Sequence, residues 1–224
     1  MTDLKKIARA CAVAAAFAAG SATAAPVTLT FEGLGDFHSV ASFYAGGTST
    51  SGNSGPDHGI YFGSSLHGLV DVDSDPNAFG LFANNPSGDT VLTFSDDRDS
   101  VVSVRQGFQN VFSFYYAADS EGFVNVYEDL DGTGTLLASI ALSSSVDGCD
   151  FDNYFCNFRS VSLAFSGTAR SVVFGGPGYG FAFDDLTFDI EAAPSEVPEP
   201  ATLGLTALGL AGLVAARRKA RAQR

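Results

Sequence analysis

Short runs in which apolar and polar residues alternate occupy most of the chain between residues 27 and 188. Residues 27–31 (VTLTF) alternate with a period of two, which is the pattern of a β-strand with one buried face. Turn residues separate the runs, as at 131–134 (DGTG), 166–167 (SG) and 175–178 (GGPG). The pattern predicts an all-β domain, an antiparallel β-sandwich of jelly-roll type with about eight to ten short strands. The other runs behind this prediction are residues 91–94, 101–104, 111–116, 123–127, 135–142, 160–165, 171–174 and 181–188.

One segment interrupts the alternation. Residues 39–68 are rich in Gly and Ser and contain no sustained apolar run. Segments of this composition connect strands over the surface of a domain more often than they form strands. We therefore expect a long loop or an irregular edge region there.

The first 24 residues have the three parts of a secretory signal peptide. Lys5, Lys6 and Arg9 precede the apolar stretch 10–20, and Ala22-Thr23-Ala24 provides a small-x-small cleavage pattern. We expect cleavage after Ala24, which leaves a sandwich domain over residues 25–190 and a linker over residues 191–196.

The C-terminal segment 197–221 also has three parts. Val197, Pro198, Glu199 and Pro200 come first, and the two prolines end any helix or strand that reaches them. Residues 201–216 are apolar and uncharged, a length just below the roughly 17–25 residues of a transmembrane helix. The basic tail 217–224 follows and is predicted to stay on the cytoplasmic side of the membrane. Its flanking charges are Arg217, Arg218, Lys219 and Arg221.

This order of Pro-Glu-Pro, apolar span and Arg-rich tail closely resembles the PEP-CTERM sorting signal of Gram-negative bacteria. An ordinary tail anchor is the alternative. The resemblance implies anchoring in the inner membrane by 201–216, recognition by an exosortase (a cysteine protease-like transpeptidase), and transfer to the cell surface or extracellular matrix. By analogy with GPI signals, the tail would be absent from the mature product.

The charge of the segment between the two ends excludes one class of partner. Of 12 basic residues only Arg98, Arg105, Arg159 and Arg170 lie between the end segments, whereas 24 of 25 acidic residues follow the signal peptide. The body therefore carries about −20. Such a surface repels phosphate backbones, so no nucleic-acid partner is expected. Two interpretations of this surface remain. It binds divalent cations, or it is a solvated acidic surface with no specific partner.

Two cysteines remain after removal of the signal peptide, Cys149 and Cys156. An even number of cysteines in an exported protein favours a disulfide over free thiols. We expect the pair to be bonded and to clip a long hairpin loop.

The ends of the body show a second, weaker resemblance. The sequences Phe31-Glu32-Gly33 and 183–188 (FDDLTF) resemble the first and last strands of jelly-roll carbohydrate-binding modules. In that family these two strands lie side by side. The resemblance implies that Glu32 and Asp184, with Asp185 as a helper, hold a structural Ca²⁺. The alternative is that Asp184 and Asp185 cap a strand and face water.

Other candidate chemistry is weak. Asp71, Asp73 and Asp75 have the spacing of calcium ligands, but Pro76 replaces the required Gly and Phe82 the required Glu of an EF-hand loop. There is no G-x-S-x-G nucleophile motif, and no pair of carboxylates stands out for glycoside hydrolysis. Tyr154 in the disulfide loop and Tyr179 in a Gly-rich turn are the best candidates for stacking on a sugar ring.

These features predict an exported, non-enzymatic surface or matrix protein with a structural or adhesive role in an exopolysaccharide layer. The expected partners are the secretion machinery, the exosortase and exopolysaccharide. A glycan-binding module with a defined sugar site is the second hypothesis, and a secreted hydrolase is the third. The ligand and the oligomeric state do not follow from the sequence.

Overall fold

Nine β-strands form a single antiparallel, hydrogen-bonded sheet in the computed structural model, which describes residues 25–96 and 100–190. The predicted signal peptide, linker and sorting segment lie outside the described residues. The strands are β1 (Ala25–Leu29), β2 (Ile60–Phe62), β3 (Leu66–Val70), β4 (Thr90–Phe94), β5 (Val101–Ala118), β6 (Gly122–Tyr127), β7 (Leu136–Leu142), β8 (Arg159–Gly175) and β9 (Phe181–Ile190). Leu130–Gly132 forms one turn of 3-10 helix. In this part of the chain no helix has the length and apolar character to cross a membrane.

The strand order is β3-β4-β9-β5-β8-β6-β7, with β1 added to β9 and β2 added to β5. Two long strands, β5 and β8, each take part in two groups of pairings. In the first group, residues 108–116 of β5 pair with residues 159–169 of β8 on one side and with β9 on the other. Strand β9 pairs in turn with β1 and β4. In the second group, residues 101–103 of β5 pair with residues 171–173 of β8, beside β2 and β6. The sheet is therefore two half-sheets joined through β5 and β8.

The two half-sheets meet at irregularities in the long strands. The pairing of β5 with β8 shifts register between Ser103 and Phe108 and again between Gln109 and Val111. Gly107 and Asn110 in β5 and Gly167 in β8 have positive φ angles of 80°, 61° and 91°. Extra residues and left-handed backbone bend a strand and increase its twist. These bulges allow one half-sheet to turn over the other, which gives a sandwich-like fold.

Phenylalanine side chains fill the space between the half-sheets. Phe174, from the segment of β8 that pairs with β6, lies with its ring centroid 4.7 Å from Phe183 of β9 and 6.4 Å from Phe114 of β5. Phe108 contacts Phe188 at 5.1 Å in an edge-to-face arrangement. All of these rings are buried. Burying such rings is the main source of stability for a body with no tryptophan.

The first and last strands of the body lie side by side, as the resemblance to jelly-roll modules implied. Strand β1 pairs antiparallel with β9, from Ala25 opposite Ile190 to Leu29 opposite Leu186. Strand β1 lies two residues earlier in the chain than the predicted strand 27–31. The strand does not reach Phe31, because Phe31 adopts a positive φ of 63°.

Residues 39–68 form an irregular edge region, one of the two forms expected of this segment, and have more structure than their composition indicated. They contain β2 and the start of β3, and isolated bridges join Ser39 to His67 and Ala45 to Asp57. Their large side chains enter the core: Val40, Phe43, Tyr44, Ile60, Phe62 and Leu66 are buried. Apolar residues at irregular spacing made this contribution invisible to a search for alternation.

The predicted turn at 166–167 is wrong. Ser166 and Gly167 lie inside β8, so the predicted strands 160–165 and 171–174 form one strand of 17 residues. Likewise, strand β5 of 18 residues includes both of the predicted strands 101–104 and 111–116. Glycine in a positive-φ position marks a bulge as readily as a turn, and only the pairing distinguishes the two.

The Cys149–Cys156 disulfide is confirmed. The prediction that it clips a hairpin loop is wrong, because β6 lies between β7 and β8 in the sheet. The disulfide lies in the connection between β7 and β8, where the backbone of Phe155 pairs with Phe82 and with Leu81. The crosslinked loop is thereby attached to the segment before β4.

We expect Phe183→Ala to lower the free energy of unfolding by about 3–5 kcal/mol, because it leaves a cavity among four neighbouring rings. The exposed Phe151 provides a matched control, and Phe151→Ala should change stability by less than about 0.5 kcal/mol. Urea unfolding followed by circular dichroism measures both. Equal effects of the two substitutions would contradict the assignment of Phe183 to the core.

Candidate functional site

A carboxylate cluster of Glu32, Asp184 and Asp185 lies where β1 and β9 meet the segment before β4. Glu32 follows β1, and its Oε1 accepts the backbone N–H groups of Asp89 (3.1 Å) and Thr90 (2.9 Å). The start of β4 is thus tied to the end of β1. A Cβ on Gly88 would overlap the Glu32 carboxylate, so the close approach depends on that glycine.

Asp184 anchors the same segment from β9. Its side chain is fully buried, and its Oδ2 accepts the N–H of Ser87 at 3.1 Å. The Ser87 hydroxyl lies 3.2 Å from Asp184 Oδ1 and 2.8 Å from Asp185 Oδ1. The alternative that Asp184 faces water is therefore wrong. Residues 87–90 are held by carboxylates from both ends of the body.

The electrostatics of the cluster follow from burial. Burial raises the pKa of Asp184 to about 7, although hydrogen bonds from Asp185 and Ser87 oppose the rise. Burial also raises the pKa of Glu32, against the hydrogen bonds from Thr90 and Asp89. The pKa of the Tyr44 phenol is raised by burial and further by the charges of Glu32 and Asp184, so both carboxylates lie within electrostatic reach of one side chain.

The fit of this cluster to calcium is incomplete. Among residues 25–96 and 100–190, no three His, Cys, Asp or Glu side chains are grouped so as to hold a metal ion. The carboxylates of Glu32 and Asp184 accept N–H groups from 87–90, which uses oxygen lone pairs that a cation would need. Calcium binding by Glu32, Asp184 and Asp185 stays a prediction. Its test is the melting temperature in calcium and in EDTA, and an unchanged melting temperature would contradict it.

A second candidate site is an aromatic patch of Phe37, Phe79 and Tyr179, which come from three different loops. The ring centroid of Phe37 lies 5.6 Å from that of Phe79 and 5.9 Å from that of Tyr179, both edge-to-face. The side chains are 39%, 70% and 53% exposed. Exposed rings that contact one another across three loops form an apolar surface on an otherwise acidic body.

Two of the three patch residues have unusual backbone conformations. Phe37 and Tyr179 have φ angles of 52° and 60°, a region that bulky side chains seldom adopt. The Tyr179 conformation is fixed locally, since its N–H donates to the carbonyl of Phe94 at 2.8 Å. Strained residues of this kind concentrate at ligand sites, which makes the patch a functional candidate.

Tyr154, the other predicted stacking residue, lies near the same turn. Its hydroxyl donates to Asp119 Oδ2 at 3.3 Å, and the Asp119 N–H donates to the carbonyl of Gly180 at 3.1 Å. The nearby Asp119 charge raises the pKa of the Tyr154 phenol. The structure thus connects Tyr154 and the Tyr179 turn through one aspartate.

Phe37 and Phe79 were missed by sequence reasoning. Each lies in a loop segment rich in Gly, Asp or Asn, and exposed aromatic residues are common on protein surfaces. Their contact with Tyr179 depends on loops far apart in the chain, which a sequence pattern does not reveal.

The C-terminal residues 196–219 match the PEP-CTERM protein-sorting motif. The prediction that the chain carries this motif is confirmed, and the motif indicates an exported protein that an exosortase processes. The motif residues lie outside the described part of the structure. No curated protein matches the chain significantly.

Solved structures of several kinds are similar to the body at low identity. A family 29 carbohydrate-binding module from Piromyces equi is 13% identical, with a TM-score of 0.38 over 78% of this chain and 96% of its own. The K2 cleaved adhesin domain of Lys-gingipain is 12% identical, with a TM-score of 0.40 over 73% of this chain and 99% of its own. An arabinoxylan arabinofuranohydrolase of glycoside hydrolase family 43 from Bacillus subtilis is 15% identical, with a TM-score of 0.37 over 64% of this chain. The chain spans about a third (32%) of that enzyme's length. Likeness at this level carries no argument about function.

The raised pKa of Asp184 predicts how the stability of the protein depends on pH. Because the folded-state pKa of this residue is raised from 3.8 to about 7, the folded protein binds this proton more tightly than the unfolded chain does. The stabilising effect of protonation is present below the unfolded pKa and is lost as the pH rises through about 7. We therefore expect the free energy of unfolding to fall by about 2–4 kcal/mol between pH 4 and pH 8. Chemical denaturation across that range measures it.

Asp184→Asn should flatten most of this dependence and be more stable than the wild type at pH 8. Glu32 acts in the same direction, so a smaller slope remains. Asp152→Asn, which removes one exposed negative charge, controls for the net charge of the body. A wild-type stability that rises with pH over this range would contradict the assignment.

Proposed function

We propose that this chain is a surface or extracellular-matrix protein of a Gram-negative bacterium, with a structural or adhesive role in an exopolysaccharide layer. The match of residues 196–219 to the PEP-CTERM sorting motif carries this proposal. In it, the signal peptide 1–24 directs export and 201–216 anchors the precursor in the inner membrane. The exosortase then acts at 197–200 and releases the body, whose role is non-catalytic.

The described body suits such a location. Its disulfide requires an oxidising compartment. Its strong negative charge keeps copies soluble outside the cell and leaves few basic residues to bind anionic polymers. Interaction with a polysaccharide would therefore depend on neutral contacts rather than on charge pairing.

A second candidate function is glycan binding at the aromatic patch, in a sandwich of jelly-roll type. The supporting observation is the set of three exposed rings held in contact by separate loops. Aromatic faces and edges pack against the apolar C–H faces of pyranose rings. Asp36 adjoins Phe37, and Asp75 lies in the same loop as Phe79. These carboxylates favour neutral sugars or amino sugars over uronic acids.

The sorting proposal predicts the fate of a motif variant. Replacing Pro198, Glu199 and Pro200 together by alanine should leave the uncleaved precursor in the membrane fraction, because the recognition sequence is lost while the apolar span remains. Leu203→Ala, outside Pro-Glu-Pro, is the control and should be processed. Immunoblots of membrane and extracellular fractions distinguish the two. Normal processing of the triple variant would contradict the proposal.

The glycan proposal predicts that Phe79→Ala and Tyr179→Ala each weaken retention on a neutral polysaccharide by roughly threefold to tenfold, the loss of one aromatic contact. Affinity electrophoresis in gels containing neutral or uronic-acid polymers measures this. Phe151→Ala removes an equally exposed ring that lies outside the patch and should have no effect. Retention by none of the polymers, or equal loss in all three variants, would contradict glycan binding at the patch.

A further inference from the structure

Strand β7 is the last strand of the sheet and pairs with β6 alone among the described residues. One side of its backbone therefore presents N–H and C=O groups without a neighbouring strand. Such edges pair readily with an extended strand from another molecule, and natural proteins usually protect them.

The other ends of the sheet are protected. The edge of β3 is covered by the segment before β2, where the N–H of Val40 donates to the carbonyl of Leu66 and the N–H of Gly68 donates to the carbonyl of His38. The edge of β2 is covered in the same way by Ala41, whose carbonyl accepts the N–H of Phe62 at 2.8 Å. Strand β1 has five residues and contains Pro26, which cannot donate to another strand.

A second free side, along residues 159–169 of β8, carries its own interruptions. These residues pair with β5 alone, but Arg159 begins the segment and Gly167 breaks it with a positive φ. Strand β7 has one irregularity, at Leu137, where its pairing with β6 shifts register, and residues 138–142 continue in regular register. Its seven residues (LLASIAL) include no charge, no proline and no glycine. The surrounding stretch 132–146 is also free of charge, in a body that carries about −20.

The hydrophobic core is open on this side of the molecule. Six half-buried apolar residues pack against the main core cluster, and five of them belong to β7 or to the free side of β8: Leu137, Ala138, Ile140, Val161 and Phe165. Leu136 at the start of β7 is half exposed. An added strand would cover these side chains and use the free backbone groups of β7.

We propose that this strand is β7 of a second copy of the chain, paired antiparallel about a two-fold axis through Ser139. In that register Ser139 lies opposite its own copy, Ala138 opposite Ile140, Leu137 opposite Ala141 and Leu136 opposite Leu142, so no pair contains a charge. Two bodies of equal negative charge repel each other, and the repulsion is weakest where both surfaces lack charge. The strip 132–146 meets that condition on both copies at once. The contact is isologous and closes as a dimer with one continuous sheet.

The register makes a specific crosslinking prediction. Residues opposite each other in an antiparallel pair have Cα atoms about 4.5–5.5 Å apart, within the range of a disulfide. In the full chain with Cys11→Ser, the variant Ser139→Cys should form a disulfide-linked dimer on oxidation. The two copies of the exposed Ser144 lie on opposite sides of the axis, each five residues from it, so they are too far apart for a disulfide and Ser144→Cys should stay monomeric. Non-reducing electrophoresis and mass spectrometry of the purified chain measure both.

A charge variant tests whether the crosslink depends on the apolar contact along β7. Ala141→Glu, on the exposed face of β7, should lower the crosslinked fraction of Ser139→Cys several-fold, whereas Ser144→Glu adds the same charge and should not. Light scattering should show the unmodified full chain as a dimer in detergent. A monomeric chain, or equal crosslinking at 139 and 144, would each overturn the proposal.

Discussion

The bends in β5 and β8 are the constraint on which the rest of the body depends. Both strands are continuous through two half-sheets, so the half-sheets can face each other only if the strands turn. Gly107, Asn110 and Gly167 provide the left-handed backbone at the turn. When the strands bend there, Phe174 contacts Phe183 and the phenylalanine core forms between the half-sheets.

Both candidate sites follow from this closure. The chain returns so that β1 lies against β9, which places Glu32 and Asp184 on either side of residues 87–90. The turn before β9 carries Tyr179, and its contact with Phe37 brings in the loop that follows β1. The carboxylate cluster fixes the loop before β4, whereas the aromatic patch uses loops to present rings to solvent. The first arrangement positions residues 87–90, and the second is exposed to solvent.

Much of the fold could be predicted from period-two alternation, because a strand with one buried face leaves that pattern in the sequence. The disulfide was predictable because Cys149 and Cys156 are the two cysteines that follow the predicted signal peptide. The role of Gly167 could not be predicted, since glycine permits a turn and a bulge equally. Phe37 and Phe79 join Tyr179 only through tertiary contacts. The burial of Asp184 was hidden for a similar reason, since Ser87, which bonds to it, is 97 residues away.

The most direct test of this account is the free energy of unfolding of Gly107→Ala compared with Gly167→Ala. Both glycines have positive φ, so alanine is strained at either position by about 1–2 kcal/mol. A Cβ at Gly107 would also lie 2.5 Å from Thr168 Cγ2 and 3.0 Å from the carbonyl oxygen of Ala169, whereas a Cβ at Gly167 meets nothing within 4 Å. If the fold depends on the close approach of β5 to β8 at Gly107 as well as on left-handed backbone, Gly107→Ala loses clearly more stability than Gly167→Ala. Equal losses, or a tolerant Gly107, would contradict it.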